Sequence, residues 1–353
     1  MGFWEEHYLT GYLPDGGCAV KWLSGREGSG KSRFMDALRA RASSRGYLVA
    51  HVDAGDVALG RFDEVYRQVA PLIPVGELAP IVARAVARRL GAQGFDPAAG
   101  VALETWLTER GRAPEAVASE LQRAFDFLYM ERNIAPPVAA ALQRVAEPLV
   151  LERPRRPEDR DTAARWLRGE KVSATERRRA GIGMALDRYG AREVLRSLLY
   201  ALQACGESGL VLTVDRLETL VGAPGTVRYT RSRREDAYEG IRELIDEGGL
   251  LPGLMIVFAG RPEVFRDERA GLVSFPALAM RVTVEIRTPR PNLFNDLVDL
   301  DELWQADWPR HRQALVDAYG AAPDVDLDPG PLIAAGPISP VKRLMQAIAE
   351  RGA

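Results

Sequence analysis

The sequence predicts an α/β protein built on a parallel five-stranded sheet, divided by a long helical insertion. Three observations point there. Strand and helix patterns alternate from about residue 18 to 75, the signature of a parallel sheet with crossover helices. The alternation stops from 75 to 208, where only helical patterns occur, and strand-like runs return before residue 290. At 353 residues, 46% hydrophobic and 27% charged, the chain suffices for two compact units or one large domain with an insertion.

CAVKWLSG (18–25) is a short, mostly apolar run ending in glycine, as a buried strand does. SRFMDALRARA follows with Phe34, Met35 and Leu38 on one helical face. YLVAHVDAG (47–55) reads as the second strand, and FDEVYRQVAPLI (62–73) returns to helical spacing through Phe62, Val65, Tyr66 and Val69. ASELQRAFDFLYM and REVLRSLLYALQA typify the helical stretch. Between them LERPRRPEDRD (151–161), broken by proline and rich in arginine, reads as a mobile link. Strands are expected again at Leu210–Asp215, at GLMIVFAG (253–260) and at VTVEI (282–286). The tail, 291–353, reads as helical with turns rich in Pro, Asp and Gly. The expected division is therefore a core in two parts, 1–75 and 209–290, a helical insertion at 76–208, and a C-terminal helical lid at 291–353.

Composition narrows the class. Net charge is −2, so the overall field neither draws the chain to nucleic acid nor repels it. Cys18 and Cys205 lie far apart, and only His7, His51 and His311 could join them, which predicts reduced thiols and no zinc site. MGFWEEHYLTGY lacks an apolar core of signal-peptide length, and no run of about 18 apolar residues occurs. A cytoplasmic protein without a membrane segment is expected.

The strongest motif is GREGSGKS, which fits G-x-x-x-x-G-K-[ST] between a predicted strand and a predicted helix. Gly25, Gly28 and Gly30 allow a tight backbone whose N–H groups turn inward, with no β-carbon to block a phosphate. Arg26, Glu27, Ser29 and Arg33 complete the cradle and its first helical turn. Lys31 is expected to neutralise the β and γ oxygens of ATP, and the Ser32 hydroxyl to ligate Mg2+. LVLTVDRLE (210–218) ends an apolar run in Asp215, at the sheet edge where such folds bind ligands. Asp215 can hold magnesium across from Ser32, or it can cap the next helix. Glu218, a turn further on, is the candidate that orients water, or a capping-box glutamate.

Four further features have two readings each. Arg281, ending FPALAMR, is a candidate arginine finger acting on a neighbouring subunit, or a helix-end cation favouring the dipole. Arg261 in GRPEVF (260–265) stands where a γ-phosphate sensor is expected, or on a solvated loop. Lys342 and Arg343 in SPVKRL are lid cations or helix-surface charge. RYTRSRREDAYEGIREL (228–244) joins a basic run to Tyr229 and Tyr238, as a DNA contact would, or is a solvated loop entering a helix.

GREGSGKSRFMDAL, RWLRGE (165–170), GLVLTVDRLETL, REDAYEGIRELID (234–246) and VFAGRPEVFRDERAGLVSFPALAMRV together resemble the BREX-system ATP-binding protein family. These are AAA+-like P-loop ATPases of bacterial phage-defence loci. The resemblance covers about 18–75 and 160–290 and is weakest in the insertion and the tail. It implies a P-loop NTPase fold of the AAA+/ASCE type. It also implies an ATPase acting with defence partners that modify or restrict DNA, as a homo-oligomer. Gly25 through Ser32 would be its Walker A and Asp215 its Walker B. The family pattern is Asp-Glu-x-Glu; here Arg216 replaces the first glutamate and Glu218 keeps the second. The family also tends to carry threonine where this chain has Arg261. Two rival functions follow: a nucleotide-loaded switch that barely hydrolyses, which Arg216 favours, and a small-molecule kinase using the same loop.

Overall fold

Apolar runs of seven residues form the four long strands of the sheet: β1 (Cys18–Ser24), β2 (Tyr47–Asp53), β3 (Gly209–Asp215) and β4 (Leu254–Gly260). In the computed structural model, residues 2–60, 66, 70, 75–225, 227–282, 292–306, 310, 313, 338, 339, 341, 342 and 346 are described. A fifth strand, β5 (Leu297–Asp299), completes a five-stranded sheet of order β2-β3-β4-β1-β5. Every pairing is parallel, with Cys18 opposite Leu254, Asp53 opposite Asp215, and Trp22 opposite Leu297.

Strands buried on both faces read as nearly continuous apolar runs, and β4 is buried along its whole length. Alternate residues serve opposite faces. Trp22, Leu212 and Phe258 belong to one core, Leu23, Val211 and Val257 to the other. Trp22 stacks on Phe258 with ring centroids 4.5 Å apart. Helix α1 (Lys31–Ser43) lays Met35 and Leu38 on the second face, joined by the helical N-terminus. There Trp4 meets Phe34 edge-on and Tyr47 Oη donates to Leu9 O at 2.8 Å.

Between β2 and β3 the described residues form helices. The longer ones are α2 (Val75–Arg89), α3 (Pro136–Val150), α4 (Pro157–Leu167) and α5 (Arg188–Ala204). Val86, Leu142 and Trp166 share one apolar core with Trp22 and Phe258, so the insertion packs onto the sheet rather than standing apart. The stretch expected as a mobile link is anchored. Pro157 opens α4, and the Arg155 N–H donates to Glu147 Oε2 at 3.4 Å. Glu147 is itself buried and pairs with Arg144 at 2.9 Å.

Helix α6 (Arg231–Asp246) precedes β4, and α7 (Pro262–Arg266) and α8 (Pro276–Val282) follow it. The expected strand 282–286 is not found where it can be examined. Val282 closes α8, and 283–286 lie outside the described residues, as does most of the helix expected at 62–73. The fifth described strand instead falls in the tail that the sequence reads as helical, followed by α9 (Leu300–Ala306). Three residues are too few to show a periodicity; β5 exists because β1 offers Trp22–Ser24 as a pairing edge. Among the described residues no helix is long and apolar enough to cross a membrane.

Candidate nucleotide site

The site lies beyond the carboxyl ends of the strands, where a parallel sheet leaves a crevice. β1 ends at buried Ser24, and the backbone turns through 25–30 before α1 begins at Lys31. Gly28 (φ 78°) and Gly30 (φ 97°) take the left-handed conformation that a side chain resists. Gly25 is required by space, because a β-carbon there would run into the Ser29 side chain. No side chain caps α1, so its first amides, at the positive end of the helix, face the loop mouth. Lys31 folds back over the loop and donates to Gly25 O at 2.5 Å and to Arg26 O at 3.1 Å. Burial lowers its pKa, opposed by the carboxylates of Glu218, Asp215 and Asp301. These are the groups and charges an oligophosphate can use.

Across the crevice, Ser32 Oγ donates to Asp215 Oδ2 at 2.6 Å. A hydroxyl and a carboxylate oxygen at that separation are hard oxygen donors that can share a magnesium ion. Asp215 does not cap the next helix: its Oδ1 accepts the Arg216 N–H at 2.8 Å, and the cap position of the short 3-10 helix Leu217–Val221 is Arg216. Arg216 is the one non-glycine residue with positive φ among those described, at 60°. That turn sends its side chain away from Ser32, to Asp53 Oδ2 (3.0 Å) and Pro224 O (2.8 Å). Glu218 turns the other way. Its Oε1 lies 3.5 Å from Arg261 Nε, and its Oε2 is buried with no hydrogen-bond partner among the described residues. So the cation that follows Asp215 leaves the crevice, and Glu218 enters it.

The remaining walls come from parts of the chain that carry no motif. Asp301, buried in α9, accepts the Arg26 N–H at 2.7 Å and Arg26 Nε at 3.2 Å. Trp304 Nε1 donates to Ser29 O at 2.9 Å, and Ser24 Oγ donates to Asp299 Oδ2 at 3.1 Å. The tail returns to the loop as well: Glu27 bridges to Ile338, the Ser339 N–H donates to Glu27 O at 2.9 Å, and Lys342 Nζ lies 2.5 Å from Glu27 Oε1. Sequence reasoning missed Asp299, Asp301 and Trp304. The one available signal was an Asp-x-Asp following a short apolar pair.

Other expected residues lie apart. Arg33 is exposed on the first turn of α1. Arg281 lines a cavity with Cys18, at the end of the sheet where β1 starts, and grips Asp246 with Nε at 2.5 Å and Nη2 at 2.9 Å. Arg343 lies outside the described residues. In the basic run, Tyr238 is buried and donates to Ala270 O at 2.7 Å, while Tyr229 Oη accepts the Leu59 N–H at 2.8 Å. The Tyr238 ring is enclosed, whereas Tyr229 is partly exposed.

No curated protein and no solved structure matches the chain. A family model described as BREX system ATP-binding protein BrxC/D matches residues 10–324. The glycine loop, the Ser32–Asp215 pair and that match over most of its length agree: the chain belongs to the BREX system ATP-binding protein family BrxC/D.

Proposed function

We propose that the chain binds Mg-ATP in the 25–32 loop and hydrolyses it slowly, as an AAA+-like P-loop ATPase that drives or gates a DNA-targeting defence complex. The contact that carries this reading is Ser32 Oγ to Asp215 Oδ2, which joins the start of α1 to the end of β3. Ser32 and Asp215 would hold magnesium, which when bound supplies charge neutralisation of phosphate oxygens. Lys31 exchanges two carbonyl acceptors for phosphate oxygens, a stronger charge-assisted pairing. Glu218 orients the attacking water and accepts its proton, since of the two side chains after Asp215 it is the one that faces the crevice while Arg216 turns to Asp53. In this scheme 1–75 and 209–290 form the ATPase core. β5 belongs to the sheet, so the lid is the part of the tail that carries Lys342, which closes over the nucleotide. Arg281 would leave Asp246 to reach a neighbour's nucleotide in a homo-oligomer.

A second reading is a nucleotide-loaded switch with little turnover. The hold of Arg261 on Glu218 favours it, because a carboxylate held by a guanidinium is not placed to orient water. Phosphate release by wild type, Lys31→Ala and Glu218→Gln, with and without duplex DNA at stated salt, separates the two. Turnover lost in both variants supports the ATPase. Nucleotide bound by wild type without release supports the switch, and unchanged turnover in Glu218→Gln removes that residue from its assigned role.

A further inference from the structure

Four side chains of alternating charge cross the site in series: Lys342, Glu27, Arg261 and Glu218. Lys342 Nζ is 2.5 Å from Glu27 Oε1, Arg261 Nη2 is 3.5 Å from Glu27 Oε2, and Arg261 Nε is 3.5 Å from Glu218 Oε1. The two cations come from opposite directions, one from the tail and one from the end of β4. What brings them together is a single carboxylate in the glycine loop. That carboxylate has the sign of a phosphate and sits among groups suited to one. Its hydrogen bond from Lys342 holds the Glu27 carboxyl below the usual carboxylate range, so it is ionised at neutral pH. The Lys342 stem lies over Gly28, where a β-carbon would not fit.

We propose that Glu27 is an internal competitor for the terminal phosphate: it holds Lys342 and Arg261 in the nucleotide-free chain, and a bound triphosphate takes both cations from it. The proposal rests on the reading that the loop binds ATP. A terminal phosphate carries more charge than one carboxylate and offers three acceptor oxygens, so the exchange favours the nucleotide. It also reaches Glu218. When Arg261 shifts toward phosphate it gives up Glu218 Oε1, and the candidate base becomes free only in the loaded site. Glu27 is thus a positioning residue, acting on Glu218 through Arg261 and on the tail through Lys342.

The test uses the full chain and a fluorescent ATP analogue with magnesium, comparing wild type, Glu27→Gln, Lys342→Ala and the double variant. Exposed ion pairs set the scale, so Glu27→Gln is expected to tighten binding by about two- to fivefold. In the Lys342→Ala background the gain should fall to half or less, because one of the contested cations is gone. An equal gain in both backgrounds would mean simple relief of charge repulsion and overturns the proposal. A second readout needs no nucleotide: hydrogen exchange of the peptide spanning 338–342 should quicken in Glu27→Gln and recover in Glu27→Lys with Lys342→Glu. Exchange unchanged in Glu27→Gln refutes the tether whether or not ATP binds. A tether that behaves as expected in a chain that binds no analogue overturns the nucleotide reading, and the competition with it.

Discussion

Replacing Arg216 by glutamate creates Asp-Glu-x-Glu, the pattern the resemblance leads one to expect, and faster hydrolysis would be expected from sequence. The structure predicts the reverse. The residue at 216 sits at φ 60° and its side chain points at Asp53, so a glutamate there meets a carboxylate instead of the crevice. Three losses add up. The Arg216–Asp53 pair, with side chains 42% and 29% exposed, is worth about 0.2–1 kcal/mol. The hydrogen bond to Pro224 O adds about 0.5–1.5 kcal/mol, and facing carboxylates cost up to about 1 kcal/mol more. Arg216→Glu should therefore destabilise the chain by about 1–3 kcal/mol, read as a lower urea midpoint, without raising phosphate release above wild type. Arg216→Gly is the control. It loses the same pair but recovers roughly 1–2 kcal/mol of left-handed strain, so it should lie within about 1 kcal/mol of wild type. A glutamate variant that hydrolyses several-fold faster at unchanged stability would refute the geometry at 216.

Further expectations can be checked with standard measurements. Gly28→Ala combines a strained φ of 78° with a collision against the Lys342 stem, so hydrogen exchange at 338–342 should rise and affinity for an ATP analogue fall. Asp301→Ala leaves the Arg26 N–H without its acceptor and should cost about 1–3 kcal/mol in denaturant unfolding while weakening nucleotide binding. Trp22→Ala, at 1% exposure and stacked on Phe258, should cost about 3–5 kcal/mol. Burial pushes the Cys18 thiol up to about 11 and the Cys205 thiol up to about 12, so both stay protonated in the fold well above the ordinary thiol range. Their contribution to stability is fully present below the unfolded thiol pKa and is lost as pH rises through these values. Unfolding scans should therefore show declining stability above about pH 8.5, and native alkylation should be slow at about pH 8.

Much of the sheet was legible because β3 and β4 are buried on both faces and β1 nearly so, and continuous apolar runs follow from that burial. β5 was not, since Leu297–Asp299 is three residues long and only Val298 is buried. In the site, the glycine loop, Ser32 and Asp215 were legible as local patterns. The partners of Glu27 were not, because Lys342 lies 315 positions away and no periodicity links them. The direction of Arg216 depends on one backbone angle, which composition does not encode. The partners of Tyr229 and Tyr238 were not legible either, since Leu59 and Ala270 lie 170 and 32 positions away.

If Ser32 and Asp215 are two ligands of one metal beside a bound triphosphate, nucleotide affinity must depend on magnesium through both side chains. Titrate wild type, Ser32→Ala and Asp215→Asn with an ATP analogue, each with and without magnesium. Magnesium should tighten binding about tenfold or more in wild type, and each variant should lose most of that increment while still binding the metal-free analogue. A magnesium increment that survives unchanged in Asp215→Asn would contradict it.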